Sequence, residues 1–459
     1  MYQINFEQPC HVHFMGIGGI SMSGLAQVLV RRNFTVSGSD SKESPLTKQL
    51  EEKGCTVLYG QRAENITSDI DLVVYTAAIH PDNPEFVAVK EAGIPMLTRA
   101  EMLGQILDHF KNSVAVAGTH GKTTTTSMIA QILMDAGTDP TISVGGILDV
   151  IGGNIKVGHS DIFVTEACEY TNSFLNLKPR FSLVLNIEED HLDFFKDLDD
   201  IRHSFRQFIA GTASDGIVFL NGSIECPEEL TKDTDAEVIS YGIDATNDCH
   251  ATDITYDELG HGRFTLVFKG QTLGKIALSV PGSHNIENAL AAAALTMSLG
   301  LSFEEVASGL SHFTGTKRRF ELKGRLGGIT IVDDYAHHPT EISATLDAAA
   351  KCNVSRIVCV FQPHTYTRTK AFLKEFAQAL SKADLVVLPP IYAARETDTL
   401  GISSQNLRDE IEKLGTTAYY FSSFDEIENF LLKNCINSDL LITMGAGDVV
   451  KIGEHLLGQ

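Results

Sequence analysis

The feature that most restricts how this 459-residue chain can fold is an apolar run, SVAVAG at 113–118. It breaks into Gly118-Thr119-His120-Gly121-Lys122-Thr123 and then into a helical pattern through Leu133. A buried strand, a glycine turn and a helix, in that order, leave the first N–H groups of the helix pointing out of the turn. There they and the helix dipole attract phosphate oxygens. Lys122 adds a mobile positive charge, and the Thr123 hydroxyl stands where phosphate loops place a ligand to hydrated magnesium. The general spacing wants glycine five residues before Gly121; Val116 stands there, so this is a shorter loop anchored by Gly118. A plain strand-to-helix turn with an exposed lysine is the alternative, but four consecutive threonines, 123 to 126, are an odd start for such a helix.

A second glycine turn lies near the N-terminus. The run HVHFMG from His11 leads into Gly16-Ile17-Gly18-Gly19, a helical pattern through Val30 and the stretch FTVSGSD ending at Asp40, which together read as a βαβ unit. Taken alone it suggests dinucleotide binding, although Ser21 replaces the third glycine of GxGxxG and Gly24 follows. Apolar stretches at 71–77 and 94–98 continue the alternation, so residues 1–108 are expected to form a Rossmann-like domain. Residues 109–315 are expected to form a central P-loop ATPase-like domain with a mixed sheet. It contains strand-like stretches at 161–167 and 181–187, hairpins near 263–280 and a helix from about His284. Residues 316–459 repeat the strand and helix alternation at 328–336, 356–362, 383–390 and 439–447 and are expected to form a C-terminal Rossmann-like domain. The expected class is α/β in three domains, in keeping with roughly 100 to 200 residues per domain.

Charge limits the partners. Against 36 Lys and Arg stand 59 Asp and Glu, a formal charge of -23, which repels nucleic acid and acidic membrane surfaces. An anionic substrate must therefore meet a local positive site. The eight cysteines are scattered without a CxxC pair, so neither disulfides nor a structural zinc site is expected. MYQINFEQPC lacks the basic and apolar regions of a signal peptide, and nowhere do about 18 apolar residues run uninterrupted, so a soluble cytoplasmic monomer or homodimer is expected.

GTHGKTTTT at 118–126 resembles the ATP loop of the Mur ligases, in the form found in their alanine-adding branch. Glu166 closes the next strand, and Asn186 with Asp190-His191 (NIEEDH) closes another, where that family holds magnesium through a glutamate and a histidine. The resemblance covers essentially the whole chain and implies the following roles. Gly118, Thr119, His120, Gly121, Lys122, Thr123 and Thr124, with His284, Asn285 and Asn288 of PGSHNIENALAA, bind ATP. Thr123, Glu166 and His191 hold Mg2+. Gly16, Gly18, Gly19, Ser21 and Asp40 bind the UDP-sugar. Lys122, His191, Arg318 and His338 are the catalytic residues, while Tyr335, His337 and Arg368 receive the amino acid and its carboxylate. The chain departs from the family pattern at Cys168, Ser283 and Thr365.

The implied reaction is ATP-dependent ligation of L-alanine to the lactyl carboxylate of UDP-N-acetylmuramate through an acyl phosphate. A relative that attaches a ready-made tripeptide to the same sugar nucleotide shares most of these motifs. An NAD-dependent dehydrogenase would explain the first glycine loop and Asp40 but leaves the second loop without purpose. A non-catalytic nucleotide-binding scaffold would bind ATP without turnover.

Overall fold

Strand His11–Met15 is buried at four of its five positions and pairs in parallel on both sides, the burial that a continuous apolar run needs. It is central in a sheet ordered Thr56–Tyr59, Thr35–Asp40, His11–Met15, Leu72–Tyr75 and Met96–Thr98, all parallel. The order reverses direction beside His11–Met15, which opens a crevice at the carboxyl end of that strand, where the glycine turn lies. The computed structural model describes residues 2–76, 78–192, 194–257, 260–394 and 396–459.

The described chain divides into two compact units, Met1–Cys249 with Ala291–Gly309, and His250–Leu290 with Leu310–Gln459. These cuts differ from the expected boundaries after 108 and 315. Within the first unit one apolar cluster runs from Ile4 through Phe110 and Phe163 to Ala236, so the N-terminal sheet and the sheet bearing the phosphate loop share a core.

The second sheet of that unit has the order Glu237–Gly242, Ile217–Asn221, Phe181–Val184, Asn112–Ala117, Ile162–Ala167, Thr141–Leu148 and Gly153–Lys156. The pairings around Asn112–Ala117 are parallel, and only the last pair, Thr141–Leu148 with Gly153–Lys156, is antiparallel. The strand expected over 181–187 stops at Val184 because the chain there leaves the ladder to hold the phosphate loop: Thr119 N–H donates to Asn186 O at 3.2 Å.

In the second unit, His261–Phe268 and Gln271–Pro281 form the expected antiparallel hairpin; helix His284–Ser298, which belongs to the first unit from Ala291 onward, begins at the expected residue. The C-terminal sheet runs Glu321–Leu326, Ile329–Asp334, Asp439–Met444, Arg356–Phe361, Leu385–Leu388 and Thr417–Tyr420, with only the first pair antiparallel. Along Arg356–Phe361 the side chains alternate between two apolar layers, Ile357, Cys359 and Phe361 on one face and Val358 and Val360 on the other. Helices thus cover both faces, and the strand ends are left to carry polar groups. All eight cysteines are free, and among the described residues no helix is long and apolar enough to cross a membrane.

Candidate active site

The register of the central strand fixes the first cluster. Val116 lies opposite Glu166, and Ala117 opposite Val184, so the loop after Ala117 emerges between two strand ends that deliver Glu166 and Asn186. Gly118 has φ 147° and Gly121 φ 82°, and a Cβ at Gly118 would lie 2.9 Å from Leu185 Cβ. Only glycine suits that turn. Asn186 brackets the loop: its Oδ1 accepts from His120 N–H at 2.7 Å, and its Nδ2 donates to His120 O at 3.1 Å. Thr119 Oγ1 accepts from Glu188 N–H at 2.9 Å, and the His120 ring lies 3.6 Å from the Glu188 carboxylate. Helix Lys122–Asp135 starts at Gly121 without a side-chain cap, which leaves its first N–H groups for a ligand. Thr123 and Thr124 are half-buried in that first turn, whereas Thr125 and Thr126 face the core.

Lys122 is mostly buried and donates to both Glu169 oxygens, at 2.9 and 3.1 Å, to Thr119 O at 3.2 Å and to Gly118 O. Burial pulls the ammonium pKa down, but Glu169, with Glu166 further off, more than reverses this, so the lysine stays charged. Glu166 Oε1 accepts from Gly145 N–H at 2.6 Å, and a Cβ at Gly145 would meet the carboxylate at 2.9 Å. His191, held at φ 53°, places Nε2 4.0 Å from Glu169 and 3.9 Å from Asp190, with its ring against Tyr170 at 4.5 Å. Carboxylates and an imidazole near a charged lysine, with the Thr123 hydroxyl in the first turn of the same helix, are the ligand types that a hard divalent cation takes. Glu169 is the residue that the sequence reading missed. Its signal was an acid three positions past Glu166 in EACEYTNS, and its partner lies 47 residues away.

The N-terminal loop belongs to the same unit. Gly16, at φ 84°, and Ile17 both donate to Ser39 O at 2.9 Å, and Gly19 starts helix Ile20–Arg31 without a side-chain cap. Asp40, expected to contact the sugar nucleotide, accepts from Gly18 N–H at 2.8 Å, so its carboxylate also tethers the loop. Ser21 Oγ accepts from Arg99 Nη1 at 3.2 Å. Arg99 was missed. It opens helix Arg99–Leu107, fixed by a capping box in which Thr98 and Glu101 exchange bonds at 2.6 and 3.2 Å. Half-buried there, it brings the guanidinium to the uncapped start of helix Ile20–Arg31 in a protein that is otherwise strongly acidic.

In the second unit, Asp334 lies opposite Met444, and Met444 opposite Phe361, so the turns carrying Tyr335, Gln362 and Gly445 emerge side by side. Arg318, at φ 62°, commits its guanidinium to Asp333 at 3.0 Å and to the carbonyls of Gly445 and Gly447 at 2.7 and 3.2 Å. It ties strand ends together, while Arg319, paired with Glu341 at 3.6 Å, lies over the Tyr335 ring at 5.5 Å. His338 is buried as the cap of helix Pro339–Ala349, with Nδ1 accepting from Thr340 N–H at 3.4 Å. His337 Nδ1 donates to Tyr335 O at 3.0 Å, which leaves Nε2 as its acceptor; burial pulls its pKa to about 4, so the ring is neutral near pH 7. Arg368 Nη1 meets His364 Nδ1 at 3.3 Å, and His364 packs edge-on against His337 at 5.7 Å. Thr365 sits at φ 64°, an uncommon conformation for a β-branched residue. His284 and Ser283 face a cavity of about 590 Å³ shared with Thr340, Asp347 and Lys382. Asn285 and Asn288, both buried, bond to each other at 3.1 Å.

These three groups of residues coincide with three family matches. Residues 11–111 match the model described as Mur ligase family, catalytic domain; residues 116–296 match the Mur ligase middle domain; and residues 318–447 match Mur ligase, glutamate ligase domain. The chain is 60% identical over 457 residues, covering 100% of both, to the UDP-N-acetylmuramate--L-alanine ligase of Agathobacter rectalis. It is 59% identical, again over 100% of both, to the enzyme of the same name from Lachnospira eligens. Among solved structures it resembles the UDP-N-acetylmuramate-alanine ligase of Thermotoga maritima, with a TM-score of 0.79 at 29% identity over 98% of each chain. It also resembles a murein peptide ligase of Psychrobacter arcticus, with a TM-score of 0.70 at 27% identity over 98% of each chain. The chain belongs to the Mur ligase family and has its three-domain α/β fold.

Proposed function

We propose that this protein joins L-alanine to the lactyl carboxylate of UDP-N-acetylmuramate at the expense of ATP, a cytoplasmic step in building peptidoglycan. The observation that carries the reading is the cluster of Lys122, Glu166, Glu169 and His191 around an uncapped helix start. It matches what a triphosphate with a divalent cation requires.

ATP places its phosphates on the N–H groups after Gly121, and Lys122 offsets the repulsion between the γ-phosphate and the attacking carboxylate. The carboxylate oxygen bonds to γ-phosphorus as the bond to the β-phosphate oxygen breaks, giving ADP and an acyl phosphate. The alanine amine then attacks the acyl carbon, phosphate leaves with the C–O bond electrons, and the amine proton is released. Thr123, Glu166 and His191 would hold Mg2+, which when bound neutralises charge on the phosphate oxygens.

The diphosphate of the sugar nucleotide lies on the free N–H groups of the helix that starts after Gly19, with Arg99 as its cation. Arg368 takes the alanine carboxylate in its planar fork, and the free Nε2 of neutral His337 accepts a hydrogen bond from the amine. The test is phosphate release by purified protein with ATP, magnesium and UDP-N-acetylmuramate. Release on adding L-alanine supports the reading, and release only on adding the tripeptide assigns the protein to the recycling activity.

A further inference from the structure

Glu169 is the buried acid beside the lysine of the 118–123 loop. Its side chain is 4% exposed, it meets Lys122 Nζ through both oxygens, and its Oε1 also stands 4.0 Å from His191 Nε2. An ammonium has three N–H donors, and those of Lys122 face Glu169, Thr119 O and Gly118 O. The lysine is folded back over its own loop with every donor committed and its charge neutralised. A phosphate oxygen can gain a hydrogen bond from it only by replacing one of these partners, and Glu169 is the only anion among them.

We propose that Glu169 is the resting counter-ion of the phosphate-loop lysine. Incoming nucleotide phosphate displaces it from Lys122, and the freed carboxylate, with His191 beside it, becomes a ligand to the divalent cation. This rests on reading the loop as an ATP site. Nucleotide without the cation must compete with Glu169 for Lys122, whereas the cation, by drawing Glu169 away, lifts that competition. Nucleotide and cation then strengthen each other's binding through one side chain, and the effect is reciprocal.

The experiment is calorimetric titration of the full-length protein with ADP, in EDTA and in magnesium chloride, for wild type, Glu169→Gln and Glu166→Gln. Glu169→Gln is expected to bind metal-free ADP roughly tenfold more tightly than wild type, and the gain from magnesium to shrink by about the same factor. Unchanged or weaker metal-free binding overturns the proposal. So does an equal tightening in Glu166→Gln, because simple removal of a nearby negative charge would then account for it. Should Glu169→Gln not fold, Glu169→Asp decides: its shorter stem withdraws the carboxylate from Nζ, and metal-free ADP must again bind more tightly than to wild type. Wild type that fails to bind ADP with magnesium overturns the ATP-site reading and this proposal together. Wild-type binding without a change in the variants overturns this proposal alone.

Discussion

Asn186 holds both ends of the His120 peptide, accepting its N–H at 2.7 Å and donating to its carbonyl at 3.1 Å. One side chain on a neighbouring strand end thus does for the phosphate loop what a ladder partner does for a strand. Asn186→Ala removes both bonds. The predicted result is a loss of about 1 to 3 kcal/mol in stability, from backbone groups left unpaired, and a higher KM for ATP. Asn186→Asp keeps the acceptor and loses the donor, so it should fall between. Thermal melting and ATP kinetics on the two variants check this, and an unchanged ATP KM in Asn186→Ala would contradict it.

Arg99 reaches Ser21 across 78 residues of sequence to stand beside the first glycine loop. Removing a charged donor from an anion site costs about 1.5 to 3 kcal/mol, or roughly 10- to 100-fold in affinity. Arg99→Ala should raise the KM for the sugar nucleotide by that order and leave the KM for ATP near wild type, with Arg99→Lys recovering part. A rise in both constants together would point to general damage to the unit.

Burial pulls the imidazoles of His13 and His337 to about 4, below the usual 6.5. A base with a depressed folded pKa gives stability that is present above its unfolded pKa and lost as pH falls from 6.5 toward 4. Asp334 acts in the opposite sense: burial raises its carboxyl to about 6 from 3.8, so its contribution is present below 3.8 and lost as pH rises through 6. The histidine loss therefore dominates from pH 6.5 to 6, and Asp334 offsets part of it below. Histidine Hε1 resonances followed by NMR should show both rings neutral at pH 5.5. Titration of both near 6.5 would contradict the burial argument.

Local signals carried far in this chain. Both glycine turns and the strands that hold them are contiguous patterns, because a buried strand running into a glycine and then a helix is written within about twenty residues. The pairing of Lys122 with Glu169, of Ser21 with Arg99 and of Arg318 with Asp333 is not, because each depends on which strand ends lie side by side. Arg318 lies in a basic turn that is plain in the sequence, whereas the partners of its guanidinium, a buried aspartate and two carbonyls, are not. Asp40 is similar: its place at the end of a second strand after a glycine loop is legible, and the bond it accepts from Gly18 N–H is not. The shared core of the first unit was equally invisible, since it joins apolar faces from elements more than a hundred residues apart.

On the proposed function, the Lys122 loop delivers the terminal phosphoryl group of ATP to a carboxylate. This is tested most directly by turnover with UDP-N-acetylmuramate carrying 18O at both oxygens of its lactyl carboxylate, with the released phosphate read by the 31P isotope shift. One 18O atom in each phosphate formed, with neither label transfer nor turnover in Lys122→Ala, is the predicted result. Unlabelled phosphate with the label retained or passed to AMP would contradict it.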